Sequence, residues 1–384
     1  MIILAAGEGT RMRTRTPKML HEVCGRTMLG HIIAAARELN PDRLVVVVSD
    51  ARGQVADWLR AQCPDADLVV QGRRGGTGHA VRTVIEALGV IHGTVVVTYS
   101  DTPLLRGQTL ARLAGEHESS GAAITALTAR AASPTGYGRI IRDAAGRVTG
   151  IVEEADASAE QRAVTEINTG MYAFDGDLLA DAVKRVPSDT ATGEEYLTDV
   201  LSILHVDGYR VGTVWCEDFD EIQGVNDQAQ LAKARRLLNE RLLRQWMSAG
   251  VTVLDPATTW LDVGVALEAG VSLGPGTQLE GGTTVTAGAT IGPGSVLRDT
   301  AVGADATVIQ SVCEQAVIGA GAVVGPFAHL TAGTEVPPGA QVEGGAVATA
   351  GPGGAGGPRD AAGGSGRLRN GDTDLAHGKG ELGQ

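Results

Sequence analysis

From about Val265 onward an aliphatic residue returns at every sixth position: Leu267, Leu273, Leu279, Val285, Ile291 and Leu297. After short phase slips the beat resumes at Val302 and Val308, then at Val312, Ile318, Val324, Leu330, Val336 and Val342, with glycines between, as in LGPGTQLEGGTTVTAGATIGPG. A hexapeptide beat is the signature of a parallel β-helix, in which three hexads make one triangular coil and the periodic residue points inward. A disordered glycine-rich stretch would keep no such register. The spacing predicts roughly four or five coils over residues 251–345. Beyond them the text dissolves into AGPGGAGGPRDAAGGSG, and residues 346–384 read as a disordered tail because little there can bury apolar area.

The first half follows another rule. Ile2 to Ala6, Leu44 to Ser49, Leu68 to Gln71 and Thr94 to Tyr99 are short apolar runs of the buried parallel-strand kind, while Leu29 to Leu39, Val55 to Arg60 and His79 to Leu88 carry helical spacing. Repeated strand–helix–strand units predict an α/β, doubly wound domain over residues 1–226, with ligands at the carboxyl ends of the strands. Between the two frameworks, Leu231, Ala234, Leu238, Leu242 and Trp246 share one face of a connector helix within residues 227–250.

One strand end stands out. LAAGEGTRMRTRTPK, Leu4 to Lys18, gathers three arginines and a lysine in a chain whose 32 Lys+Arg against 45 Asp+Glu leave a net charge of −13. Gly7 and Gly9 allow a tight turn and close ligand approach, and exposed amides there suit phosphate oxygens. Taken alone, such a loop reads equally as a solvated surface turn. The acidic balance argues against a general nucleic-acid binder, and the opening apolar run stops at Gly7, too short to insert in a membrane. The expected setting is the cytoplasm. Cys24, Cys63, Cys216 and Cys313 form no Cys-x-x-Cys pair, so they predict buried small hydrophobes and not a zinc site.

The stretch LAAGEGTRMRTRTPKMLHEVCGRTML resembles the start of sugar-1-phosphate nucleotidyltransferases. With QGRRGGTGHA, DTPLL, GYGRI, IVEEADA, EINTGMY, EEYLTD and GVNDQAQL following in order, the chain resembles the bacterial family that pairs an N-acetylglucosamine-1-phosphate uridylyltransferase with a left-handed β-helix. The resemblance covers roughly Met1 to Gly345. It implies a reaction of UTP with N-acetylglucosamine 1-phosphate, by direct in-line attack, in which positioning and charge neutralisation dominate. It places Arg11 and Lys18 on the phosphates as catalytic residues, and Leu4, Ala5, Ala6, Gly7, Gln71, Gly76 and Thr77 on the nucleotide. Gly138, Glu153, Asn168, Tyr196 and Thr198 fall on the sugar, and Asp101 and Asn226 match magnesium ligands, oxygen donors as a hard cation requires. Without the motif, Asp101 reads as well as a turn cap after Tyr99 and Asn226 as a helix N-cap. His79 reads as structural, at a helix start. The resemblance also implies a homotrimer joined through the β-helix.

The chain departs from the family pattern at several points. Ser100 stands where a glycine usually precedes the metal-binding aspartate, and Arg73 and Arg74 add charge without an assigned role. In PFAHLTAGTEVPPG, Thr331 holds the place of an expected phosphate-binding arginine, and the later acetyltransferase motifs, with their catalytic histidine, have no counterpart; His329 precedes their segment. The expectation is a uridylyltransferase without acetyl transfer. The alternatives are a transferase for another nucleotide or sugar phosphate, and a non-catalytic nucleotide-sugar-binding scaffold.

Overall fold

The computed structural model describes residues 1–343 apart from Glu8 and residues 189–192, together with residues 345, 347 and 348; most of the predicted tail lies outside the described residues. The central sheet of the first half runs Val211–Trp215, Ile124–Arg130, Glu166–Asp175, Thr94–Tyr99, Ile2–Leu4, Val45–Val48, Asp67–Val70. Alternate residues of its strands feed two cores, one on each face. Ile2, Leu4, Val45 and Val47 join one cluster, and Ile3, Ala5, Val46 and Val48 join the other, as the two-residue strand period requires.

The sheet is mixed and not purely parallel. Glu166–Asp175 runs antiparallel to both of its neighbours, with a register break between Asn168 and Tyr172. Its ten residues are almost wholly buried, so their composition carries no mark of direction. On the other side the sheet is parallel: Ile2–Leu4 pairs with Val45–Val48 and with Thr94–Tyr99. The chain leaves Ile2–Leu4 toward one flank and returns on the other, which makes a topological switch point between Ile2–Leu4 and Thr94–Tyr99.

The connector helix spans Gln228–Ser248 and is capped by the Asp227 side chain, which accepts from the Gln230 amide. Its Asn239, buried, donates to the Thr259 carbonyl at 2.8 Å and accepts from the Leu261 amide at 2.9 Å, tying the helix to the first coil of the second half. That half is a left-handed parallel β-helix with sheets of 6, 6 and 5 strands among the described residues. Leu261, Leu279, Leu297, Cys313 and Leu330 stack as one ladder, Leu273, Ile291, Val308 and Val324 lie in the second, and Leu267, Val285, Val302, Ile318 and Val336 form the third. One expected rung is corrected. Val312 is 40% exposed and Cys313 fully buried, because the coil after Leu297 is tighter than the one before it and the slip turns the cysteine inward. Cys63 and Cys216 are also buried, whereas Cys24 is half-buried, at the tip of the hairpin Glu22–Thr27.

Candidate active site

A cleft of about 400 Å³ opens at the switch point. Leu4 and Tyr99, cross-strand partners at the strand ends, form its base, and Ser100 donates its amide to the Leu4 carbonyl at 3.1 Å. Ala6, Gly7, Gly9 and Thr10 form one wall. Gly9 has φ +60°, and a Cβ there would lie 2.4 Å from the Lys18 Cβ, so the loop folds back on the lysine only with glycine at this place. The one-turn helix Thr10–Met12 follows and carries Arg11, exposed and next to Thr10 but not lining the cleft. Ala5 is buried beneath, with its amide on the Val47 carbonyl.

Lys18 is buried, and its ammonium donates to Asp101 Oδ2 at 2.6 Å and to Asn226 Oδ1 at 2.9 Å. The cap readings of the two partners thereby give way. The helix cap is Asp227, one residue after Asn226, and the Asp101 carboxylate faces the lysine. Two oxygen donors converge on one cationic point at the cleft's end, which is the donor chemistry a hard divalent cation takes. No group of three or more His, Cys, Asp or Glu placed to hold a metal ion occurs among the described residues. A cation here would therefore complete its shell from bound phosphates and water.

The opposite wall is the turn before the helix Gly76–Leu88. Gln71 Nε2 donates to the Gly76 carbonyl at 2.8 Å and to His79 Nδ1 at 3.0 Å. Burial lowers the His79 pKa, which keeps the ring neutral and able to accept. Both amide hydrogens of Gln71 are thus taken, and what it has left to offer a ligand is its oxygen. Thr77 Oγ1 accepts from the Leu197 amide at 3.0 Å, and its hydroxyl also hydrogen-bonds with Tyr99. Tyr196 and Arg74 complete this side.

Gly138, Glu153, Asn168 and Thr198 lie beside the cleft as a cluster of their own, outside its lining residues. Asn168 donates its amide N–H to the Gly138 carbonyl at 2.8 Å, and its side chain hydrogen-bonds the Tyr172 hydroxyl at 2.7 Å. Glu153 is pushed above the usual carboxylate range by burial, against a hydrogen bond from Thr198 that pulls it down. Tyr99 connects the two groups. Its hydroxyl reaches Thr77, and its ring occupies the space a Cβ on Gly170 would need, at 2.3 Å. Sequence reasoning missed Tyr99 as a site residue; its place at the end of a strand flanking Ile2–Leu4 was the available signal.

A glycine loop on a switch-point cleft is the setting of a nucleotidyltransferase-type domain, and residues 1–166 match the family described as a MobA-like NTP transferase domain. The chain is 59% identical over 269 residues to a protein named bifunctional protein GlmU from Thermobifida fusca, covering 69% of this chain and 56% of that protein. It is 58% identical over 267 residues to the GlmU of Streptomyces avermitilis, with 69% and 55% covered, and 56% identical over 270 residues to that of Streptomyces coelicolor, with 70% and 56% covered. Over this shared region the chain is similar to the proteins named GlmU. It spans about half the length of the curated relatives it matches. No helix among the described residues is long and apolar enough to cross a membrane.

Proposed function

We propose that the chain is a magnesium-dependent uridylyltransferase that joins UTP to N-acetylglucosamine 1-phosphate, giving UDP-N-acetylglucosamine and pyrophosphate. The observation that carries it is the meeting of Lys18, Asp101 and Asn226 at one end of a cleft whose far wall is Gln71, Gly76 and Thr77. A Gln71 oxygen left as an acceptor suits the N3–H of uracil and repels the N3 lone pair of cytosine. Gly76, with φ +86°, brings bare backbone to the base edge.

An oxygen of the sugar phosphate forms a bond to the α-phosphorus as the bond from that phosphorus to the bridging oxygen breaks, and pyrophosphate leaves with the electron pair. The attacking group is already an anion, so no general base is needed. Lys18 and Arg11 supply positive charge where the phosphates crowd, and the amides of Gly7, Gly9 and Thr10 orient them. Asp101 and Asn226 would hold Mg²⁺, which when bound neutralises phosphate charge. Glu153, Asn168 and Gly138 fix the sugar through its hydroxyl and amide groups. A nucleoside triphosphate substrate places the reaction in the cytoplasm.

The β-helix serves assembly as a homotrimer in this reading, supported by the exposed Val312, Val317 and Phe327 on its outer surface. Thr331 in place of an arginine supports the absence of acetyl transfer. Pyrophosphate release measured across nucleoside triphosphates and sugar 1-phosphates tests the assignment. UTP with N-acetylglucosamine 1-phosphate is expected to be the preferred pair, and preference for any other pair overturns it. Free thiol released from acetyl-CoA with glucosamine 1-phosphate would overturn the second reading.

A further inference from the structure

The pair EE at Glu194 and Glu195 is one charge pattern in sequence and two different things in the fold. Glu194 lines the cleft, whereas the Glu195 side chain is turned into the protein and only 7% exposed. Its carboxylate receives Arg82 through three hydrogen bonds, Nη2 at 2.8 and 3.0 Å and Nε at 3.1 Å, and receives Arg73 Nη2 at 3.3 Å. Arg82 also holds Glu86 at 2.7 Å. The backbone of Glu195 is equally engaged: its N–H donates to the Gly75 carbonyl at 2.7 Å, and its carbonyl accepts from the Gly78 amide at 2.8 Å. A Cβ on Gly76 would lie 2.4 Å from that carbonyl oxygen.

These bonds close a ring. The turn of residues 75–78 is stitched by its main chain to Glu195 on both sides, and the Glu195 carboxylate is anchored to Arg82 on the helix that this same turn begins. Beyond Glu195, the turn is held by Gln71 on the Gly76 carbonyl and by the Leu197 amide on the Thr77 hydroxyl. Gly75 provides no side-chain cap for the helix, and three glycines in four residues leave its backbone free to adopt many conformations. A bidentate arginine on a buried carboxylate has defined geometry and little tolerance for displacement.

The geometry points to Glu195 as a positioning residue for nucleotide recognition: its carboxylate, clamped by Arg82 and Arg73, fixes the height of the Gly75–Gly78 backbone against which the nucleobase lies. The inference rests on the reading of Gln71, Gly76 and Thr77 as the base wall. It also gives Arg73 a role as the outer, solvent-facing arm of the clamp. Glu195 touches no reacting atom, so its loss acts on nucleotide binding and leaves the phosphoryl-transfer end at Lys18 and Asp101 in place. Removing binding that is equal in ground and transition states raises KM and leaves kcat unchanged.

The test uses the full chain with magnesium, UTP and N-acetylglucosamine 1-phosphate, and compares wild type with Glu195→Gln, Arg82→Gln, the double variant and Arg73→Ala. Calorimetric titration with UTP and initial rates are read together with a thermal melt. Glu195→Gln is expected to weaken UTP binding and raise its KM about tenfold, with kcat and the KM for the sugar phosphate within about twofold. The double variant is expected to be no worse than the worse single, since both break one unit. Arg73→Ala, at an exposed side chain, is expected to cost about twofold in the UTP KM and remains informative if the buried variants fail to fold. A lower melting temperature with unchanged UTP KM in the folded variants, or an equal rise in both KM values, overturns the clamp as a positioning device. Wild type that binds UTP while every variant matches it overturns this proposal alone; wild type that binds no UTP overturns the base-wall reading and the clamp with it.

Discussion

The sheet domain and the β-helix solve the burial problem in opposite ways. In the β-helix every coil repeats the last, and Leu279, Leu297, Cys313 and Leu330 stack as near-equivalent rungs. Its charges, such as Arg298 paired with Glu280 and Glu314, stay on the outside. In the sheet domain the regular pattern breaks at the strand ends, and there Lys18, Glu195 and Asn168 are buried with their polar groups engaged. A repeat gives uniform rungs and little chance for unlike groups to converge, whereas a switch point brings unlike segments together. The candidate chemistry lies where the repetition fails.

The sharpest way to break that contrast is Asp101→Ala. Turnover is expected to fall by about three orders of magnitude, roughly 4 kcal/mol of transition-state stabilisation, and the sheet domain alone is expected to melt lower because buried Lys18 loses its charged partner; retained magnesium-dependent pyrophosphate release would remove the site from the cleft. The reverse change is Leu297→Ala in the middle of a rung ladder, where the side chain is fully buried. It is expected to cost about 3 kcal/mol in urea unfolding while turnover under native conditions persists, and a turnover loss without unfolding would mean the two halves are coupled.

Acid should separate the halves again. His31 is buried in the sheet domain with Nε2 on the Val23 carbonyl at 2.7 Å, and burial, the leading cause, lowers its pKa to about 4. Between the unfolded value near 6.5 and that folded value the unfolded chain binds the extra proton, so stability is present above pH 6.5 and is lost as pH falls. Going from pH 7 to pH 5 is expected to cost the sheet domain about 2 kcal/mol. His31→Gln, which keeps a donor and does not titrate, is expected to flatten that slope; an equal slope in the variant would assign the acid sensitivity elsewhere. The smallest effect is expected at Arg13 and Arg15, exposed on the glycine loop. Replacing either with alanine is expected to change the UTP KM by less than about twofold, and a tenfold rise would extend the phosphate wall to them.

Much of this was readable in the residues. The hexad spacing marked nearly every inward rung, and erred at Val312 because the tight coil is set by how one turn stacks on the next. The glycine loop read as a ligand wall because it follows a buried apolar run, and the cleft is lined by Leu4, Ala6, Gly7, Gly9 and Thr10. Arg11, by contrast, lies next to that lining on an exposed turn. The antiparallel direction of Glu166–Asp175 could not be read, since a strand buried on both faces has the same composition either way. Nor could Glu194 be told from Glu195, as both are acids in an irregular segment.

The sequence by itself determined the two frameworks, because a period of six and an alternation of strand with helix are local properties that neighbouring residues express together. Tertiary structure alone decided which charges meet. Lys18 finds Asp101 across 83 positions and Asn226 across 208, and Arg82 finds Glu195 across 113. No local spacing encodes such distances; the order of strands in the sheet does, by bringing their ends to one edge where a buried charge has to find its partner.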